Sequence, residues 1–337
     1  MKEAVLLINL GTPDSPEPLK VAKYLTQFLN DKRVIDINPV GRFLLVNFVI
    51  VPFRSFSSSK LYKHIWTKDG SPLLLNSEVL KKKLQEKLGE KYAVELAMRY
   101  QSPAIGEALE KLRRLRPSKI HVLPLYPQYA SSSTGSTLEE VFGRIKGWEV
   151  IPSLNIISKF YDHPAFIRAL VNQAGKYNIA DYDHVLFSYH GLPERQIQKA
   201  SAHYGGHYCR LGSCCDVVNA ANQYCYRANC METSRQLVKH LHIPEGKYSS
   251  SFQSRLDDKW LKPFSDKVVA ELAMKGAKRL LVFSPAFVAD CLETTYEIGT
   301  EYQEIFHRHG GGKITLVESL NANESWVEAV KEIVLGK

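Results

Sequence analysis

Two sets of residues in this chain have the types and spacing for chemistry. The first is an imidazole with two carboxylates. His190 closes a buried-strand pattern in His184 to Pro193, HVLFSYHGLP, just before a Gly-x-Pro turn. The ring is therefore expected at the carboxyl edge of a sheet, where a proton acceptor can reach a ligand. Glu293 and Glu297 lie within Ala289 to Glu297, ADCLETTYE, one helical turn apart on one face. A histidine beside a line of carboxylates makes a proton relay or a path for a metal ion. The same segment has a purely structural use, because Asp290 and Glu293 have the spacing of an N-cap and its capping-box partner.

The second set is a crowd of thiols: Cys209, Cys214, Cys215, Cys225 and Cys230 are five of the six cysteines. Disulfides are rare in a reducing cytoplasm, which leaves a metal site. The spacing is looser than the Cys-x2-Cys knuckles usual for tetrahedral zinc, and it misses the plant ferredoxin pattern. Four thiolates for a [2Fe–2S] cluster fit the count with one left over, since adjacent Cys214 and Cys215 are awkward partners on one centre. Zinc and unligated thiols stay open, with His203 and His207 as reserve ligands.

The elements that must position these groups alternate along the chain. Strand-like runs at Ala4 to Leu10, Ala93 to Met98, Ile120 to Leu125 and Glu149 to Leu154 are separated by helical stretches near Lys20 to Leu29, Ser77 to Leu88 and Ile105 to Leu115. The second half repeats the plan, with strands at His184 to Ser188, Tyr248 to Phe252, Arg279 to Phe283 and Ile314 to Val317. Helices are expected near Ala165 to Lys176, Thr233 to His240, Pro263 to Met274 and Glu293 to His307. Such alternation predicts an α/β fold with parallel sheets and crossover helices. Two short repeats suggest duplication: AVLLINLGTP at Ala4 to Pro13 matches the His190 run, with Leu10 at the histidine's position, and Lys119 to Tyr129 matches Gly276 to Phe287. The reading is two similar Rossmann-like lobes, 1–155 and 156–337, with the active-site residues and a cysteine-rich insert over 203–230 in the second. His190, Tyr126 to Ser136 and Pro285 to Glu293 all follow strand ends, so they are predicted to converge on an interlobe cleft. No Gly-x-Gly-x-x-Gly or P-loop follows any strand, which removes the phosphate cradle a nucleotide would need.

At 337 residues the chain is long enough for two domains of this kind. The net charge of +9 sits in runs such as Lys81-Lys82-Lys83 and Lys111 to Lys119, without interleaved aromatics, so the reading is solvated helix faces and no nucleic-acid partner. A basic surface also suits anionic headgroups or a substrate bearing carboxylates. The first strand begins almost at Met1, leaving no room for a secretory signal, and a cytoplasmic location is expected. The most apolar stretch, Phe43 to Phe53, is interrupted by Asn47 and Pro52 and is too short for a bilayer span. It is read either as a buried helix or loop, or as an apolar lip that admits a flat hydrophobic ligand or rests peripherally on a membrane.

With these segments in place, the chain resembles the ferrochelatases. The strings carrying the resemblance are SYHGLPE at Ser188 to Glu194, YPQYASSSTGS at Tyr126 to Ser136, FQS at Phe252 to Ser254 with the later Trp260-Leu261-Lys262-Pro263, ADCLETTYE, and Ser319-Leu320-Asn321. NLGTP at Asn9 to Pro13 and DGSPL at Asp69 to Leu73 extend the match, in order, over nearly the whole chain. The resemblance implies a lyase of the metal-chelatase type that inserts Fe2+ into protoporphyrin IX, the last step of protoheme synthesis. It implies His190 and Glu293 as the catalytic pair, and His190, Glu293 and Glu297 as contacts of the incoming metal. Arg99, Tyr100, Tyr126, Trp260 and Phe287 would face the macrocycle. The family often has histidine where this chain has Cys291, so a second imidazole is not expected here. Some microbial members hold a [2Fe–2S] cluster in an internal segment after the active-site histidine, which fits four of the five clustered cysteines. Cluster-free members can carry a cysteine near the position of Cys230, so that residue can be structural. Readings kept beside this one are coproporphyrin as substrate, cobalt insertion on the same fold, and a non-catalytic tetrapyrrole or iron carrier with a redox-sensing cluster.

Overall fold

The computed structural model describes residues 2–203 and 208–337 and contains two sheets of four strands. In the first, β1 (Glu3–Gly11), β2 (Tyr92–Tyr100), β3 (Lys119–Pro124) and β4 (Ser153–Ile156) lie in the order β2-β1-β3-β4. In the second, β5 (His184–His190), β6 (Tyr248–Gln253), β7 (Arg279–Phe283) and β8 (Lys313–Leu316) lie in the order β6-β5-β7-β8. Every pairing is parallel, and the two orders agree strand for strand. The duplicated runs thus form equivalent inner strands, β1 and β5.

Parallel sheets carry helices on both faces, so their inner strands read as unbroken apolar runs. Ala4 to Ile8 of β1 are fully buried. On one face of that sheet, helices Ile105–Arg114 and Ser136–Ile145 pack Leu109, Leu112, Val141 and Ile145 against Leu6, Ile8, Ala97 and Val122. On the second sheet Val269, Ile298 and Phe306 cover Leu186, Leu280 and Val282 in the same way. Each such side chain contributes about 1.5–3 kcal/mol on leaving water.

The chain divides into two compact units, one of Met1–Tyr126, Ala130–Lys159 and Ala322–Lys337, the other of Pro127–Tyr129 and Phe160–Asn321. The sequence reading ran the second lobe through to Lys337, but the last helix, Glu324–Leu335, falls in the first unit. It buries Trp326, Val327, Val330 and Val334, and its start is tied down by Lys83, whose Nζ donates to the Ala322 carbonyl at 2.8 Å and to Glu324 at 2.9 Å.

Three other expectations change. β4 starts at Ser153, because Val150 and Ile151 are exposed at 79% and 51% and have no face to bury. The helix expected from Thr233 begins at Tyr226, which puts Cys230 on a helix rather than in a loop. Finally, Asn47 and Pro52 do not interrupt the apolar stretch: a continuous helix of 27 residues runs from Pro39 to Ile65, long and apolar enough to span a bilayer by length and composition. Its middle, Leu45–Ile50, has π-helical winding just ahead of Pro52, and a shifted hydrogen-bond ladder is one way to accommodate a residue that cannot donate. Asn47 turns its amide back on the Phe43 carbonyl at 2.8 Å. Phe43, Phe48, Phe53 and Phe56 are each more than half exposed, while Val46, Val51, Tyr62 and Ile65 are buried, so the helix packs one face on the core and leaves an apolar face bare.

Candidate active site

His190 is the last residue of β5 and is half-buried. Its Nδ1 lies 2.6 Å from the Gly191 carbonyl. A carbonyl can only accept, so Nδ1 carries a proton, and in the neutral ring Nε2 then presents a lone pair, the tautomer of a proton acceptor. The main chain at this strand end is pinned from two sides. The Tyr226 hydroxyl donates to the His190 carbonyl at 2.9 Å, and the Gly191 N–H donates to the Gln253 carbonyl at 2.8 Å. Trp260 and Phe287 are both half-buried, with ring centres 6.4 and 6.3 Å from the imidazole. Trp260 is brought there by a bridge to Pro193.

Glu293 and Glu297 lie on a π-helical segment, Leu292–Tyr302, of 11 residues, a winding that is frequent at functional sites. The capping use expected of Asp290 and Glu293 does not occur. Cys291 is the N-cap and Thr294 completes the box, with the Cys291 N–H donating to the Thr294 hydroxyl at 3.0 Å. Asp290 instead accepts from the Asn321 amide at 2.7 Å and the Ser319 N–H at 3.2 Å, which is what the Ser-Leu-Asn run does. Glu293 is thus released from capping. Burial pushes the Cys291 thiol up, and the neighbouring Glu293 charge adds to this, so the thiol stays protonated beside the carboxylate.

Glu297 sits in a cradle. One oxygen accepts from the Ser254 N–H at 2.8 Å and the Tyr302 hydroxyl at 3.0 Å. The other accepts from the Ser254 hydroxyl at 2.6 Å and the Gln253 amide at 3.0 Å. Gln253 is 1% exposed and also donates to the Glu293 carbonyl at 2.8 Å. It is paired in register with His190, so this one residue touches both the histidine's strand and the acidic segment. Gln253, Ser254, Tyr302 and Tyr226 were not assigned roles from sequence. FQS was visible as a string, but nothing local says that its glutamine and serine face a glutamate forty residues on.

In the first unit, Arg99 and Tyr100 at the end of β2 converge on Asp31. Arg99 donates to Asp31 at 2.8 Å and to the Ser136 hydroxyl at 2.7 Å, and the Tyr100 hydroxyl donates to Asp31 at 2.9 Å. Tyr100 is 2% exposed, with the Arg99 guanidinium 4.6 Å over its ring. It supports Arg99 rather than presenting its own face. Burial, then the Asp31 charge, pushes its phenol far up. Tyr126 is half-buried, with its hydroxyl 3.5 Å from Thr137.

The clustered cysteines separate into four and one. Cys209 hydrogen-bonds Cys214, the Cys214 and Cys215 sulfurs are 3.9 Å apart, and Cys225 hydrogen-bonds Cys215. That last bond, helped by Arg227, holds the Cys215 thiol well below the ordinary range. Backbone N–H groups point at the sulfurs, Arg210 at Cys214 (3.3 Å), Leu211 at Cys209 and Ala228 at Cys225. Cys230 is fully buried on helix Tyr226–His240, where desolvation pushes its thiol up and Tyr226 is its partner. Among the described residues no three His, Cys, Asp or Glu side chains are drawn together as a ready metal site. His203 is exposed at the end of helix Glu194–His203, and His207 lies outside the described residues.

A family model described as Ferrochelatase matches residues 2–337. The ferrochelatase of Legionella pneumophila (strain Lens) is 43% identical over 335 residues, covering 99% of each chain. That of Coxiella burnetii (strain Dugway 5J108-111) is 42% identical over 340 residues, covering 98% of this chain and 93% of its own. Among solved structures, SirB from Bacillus subtilis with Fe3+ superposes with a TM-score of 0.57 at 11% identity, over 99% of this chain and 96% of its own. CbiX, described as the terminal enzyme for biosynthesis of siroheme in denitrifying bacteria, gives 0.51 at 10% identity, over 99% and 98%. Identity that low bears on the fold alone; the match along the full length bears on descent, and the chain belongs to the ferrochelatase family.

Proposed function

We propose that this ferrochelatase of heme biosynthesis takes protoporphyrin IX as its porphyrin and uses His190 to accept a pyrrole proton while Glu293 meets the incoming Fe2+. Inserting one divalent cation releases two N–H protons, so the charge of the macrocycle is unchanged. The observation that carries the reading is the contact of His190 Nδ1 with the Gly191 carbonyl, which supports a neutral ring with its proton on Nδ1 and Nε2 available as the base. Glu293, free of capping duty, supplies an oxygen ligand suited to hydrated Fe2+ and a second proton acceptor. Trp260 and Phe287 beside the imidazole favour a flat aromatic ligand. Arg99, braced by Asp31 and Tyr100, is proposed as a porphyrin contact, with Tyr126 as an aromatic wall.

The four thiols linked in a chain, Cys209, Cys214, Cys215 and Cys225, are proposed to hold a [2Fe–2S] cluster, with Cys230 as a packing residue. Backbone N–H donors on the sulfurs and the cation Arg227 suit a group of net negative charge, which would supply a one-electron redox centre. A cytoplasmic location with peripheral membrane contact is proposed through the exposed apolar helix at 39–65, which also fits delivery of the less polar porphyrin. Anaerobic incubation with Fe2+ and either protoporphyrin or coproporphyrin, read by absorbance, tests the substrate. Faster turnover of coproporphyrin would reassign it. His190→Ala is expected to abolish turnover while porphyrin still binds by fluorescence quenching, and near-normal turnover in that variant would remove His190 from the chemistry.

A further inference from the structure

We infer that Gln253 and Ser254 are positioning residues that hold the Glu297 carboxylate in a fixed place and lock its helix to the strand ending at His190. The inference rests on the reading of His190 and the acidic segment given above. An ionised carboxylate has about four lone-pair sites, and four donors fill those of Glu297: the Ser254 N–H and hydroxyl, the Gln253 amide and the Tyr302 hydroxyl. A carboxylate so filled acts on Fe2+ through its charge, and it cannot become a ligand until a donor lets go.

The cradle is built, not incidental. A flip of the Gln253 amide would set its oxygen against two acceptors, the Glu293 carbonyl and the Glu297 carboxylate, whereas in the observed sense that oxygen accepts from the buried Ser188 hydroxyl at 2.8 Å, which itself meets Ser265 at 2.9 Å. Both amide hydrogens therefore face the acidic segment, one on Glu297 and one on the Glu293 carbonyl. Ser254 has φ of 61°, the left-handed region that serine enters at a cost, and that conformation lets its N–H and hydroxyl meet the same carboxylate. The Gln253 carbonyl meanwhile holds Gly191, next to the histidine. Two adjacent residues at the end of β6 thus set where the base stands relative to the charge row.

The test is steady-state zinc-porphyrin formation by Gln253→Leu, Ser254→Gly and Glu297→Gln, and by the Gln253→Leu/Glu297→Gln pair. Ser254→Gly keeps the N–H and relieves the left-handed backbone, so it is expected to fold even if Gln253→Leu does not. We expect kcat/KM for Zn2+ to fall about tenfold or more for each single variant, as for one hydrogen bond to a charged group, with KM for porphyrin changed less than about twofold. The double variant should be no worse than Glu297→Gln alone. A lowered melting temperature with unchanged metal kinetics, or additive losses in the pair, would overturn the inference and leave the proposed function standing. Normal metal kinetics in Glu297→Gln would remove the acidic row itself, and the cradle with it.

Discussion

Replacing Gly191 by alanine tests how closely the end of β5 must approach its neighbour. A Cβ built there lies 2.7 Å from the Gln253 carbonyl oxygen and 3.2 Å from Trp260 Cε3. The first atom is backbone and cannot swing aside, so the strands must part where Gly191 N–H meets that same carbonyl at 2.8 Å. Overpacking of this kind costs about 1–3 kcal/mol, and the lost hydrogen bond adds about 0.5–1.5 kcal/mol. Roughly 2–4 kcal/mol in a unit of this size lowers Tm by about 5–15 °C. Because the shift falls on the residue after His190, and an ångström of misplacement can cost on the order of a hundredfold in rate, zinc-porphyrin turnover should fall much more than porphyrin affinity. Gly143→Ala is the control: a Cβ there meets nothing within 4 Å, and it lies inside helix Ser136–Ile145, where alanine is favoured by about 0.5–1 kcal/mol. Thermal melts and initial rates on both variants decide the matter. Wild-type Tm and turnover in Gly191→Ala would refute the argument that this contact sets the histidine.

Cys230→Ser should keep the visible spectrum of the purified protein, whereas Cys225→Ser should lose it; a colourless wild type, or the reverse pattern, would remove the four-thiol assignment. The Glu3 carboxyl is held below its ordinary range chiefly by its hydrogen bond to His121, at 2.6 Å. A depressed carboxylate stabilises the fold above its unfolded pKa, and that contribution disappears as pH falls through the lower folded value. The Tm gap between wild type and Glu3→Gln should therefore be positive near neutral pH and close in acid, and a gap that widens on acidification would contradict the sign.

Much of the scaffold was legible locally. The period of the apolar runs located eight parallel strands within a few residues, and the duplicated run at β1 and β5 anticipated two sheets of the same order, because inner strands of such sheets must be apolar throughout. The misplaced β4 shows the limit: Val150 and Ile151 look like strand residues, yet tertiary packing gives them nothing to cover. Likewise Asn47 and Pro52 carry breaker signals that π winding absorbs.

What the sequence by itself determined is chemical type: an imidazole at a strand end, carboxylates one turn apart, thiols within a short span. Tertiary structure alone decided how each group is set. Whether Glu293 caps a helix or is left to other work depends on Asn321 taking up Asp290, and whether the Glu297 carboxylate is loose or held depends on Gln253 and Ser254 from another strand. Periodicity reports which face a residue takes, and hydrogen-bond partners distant in the chain leave no periodic trace.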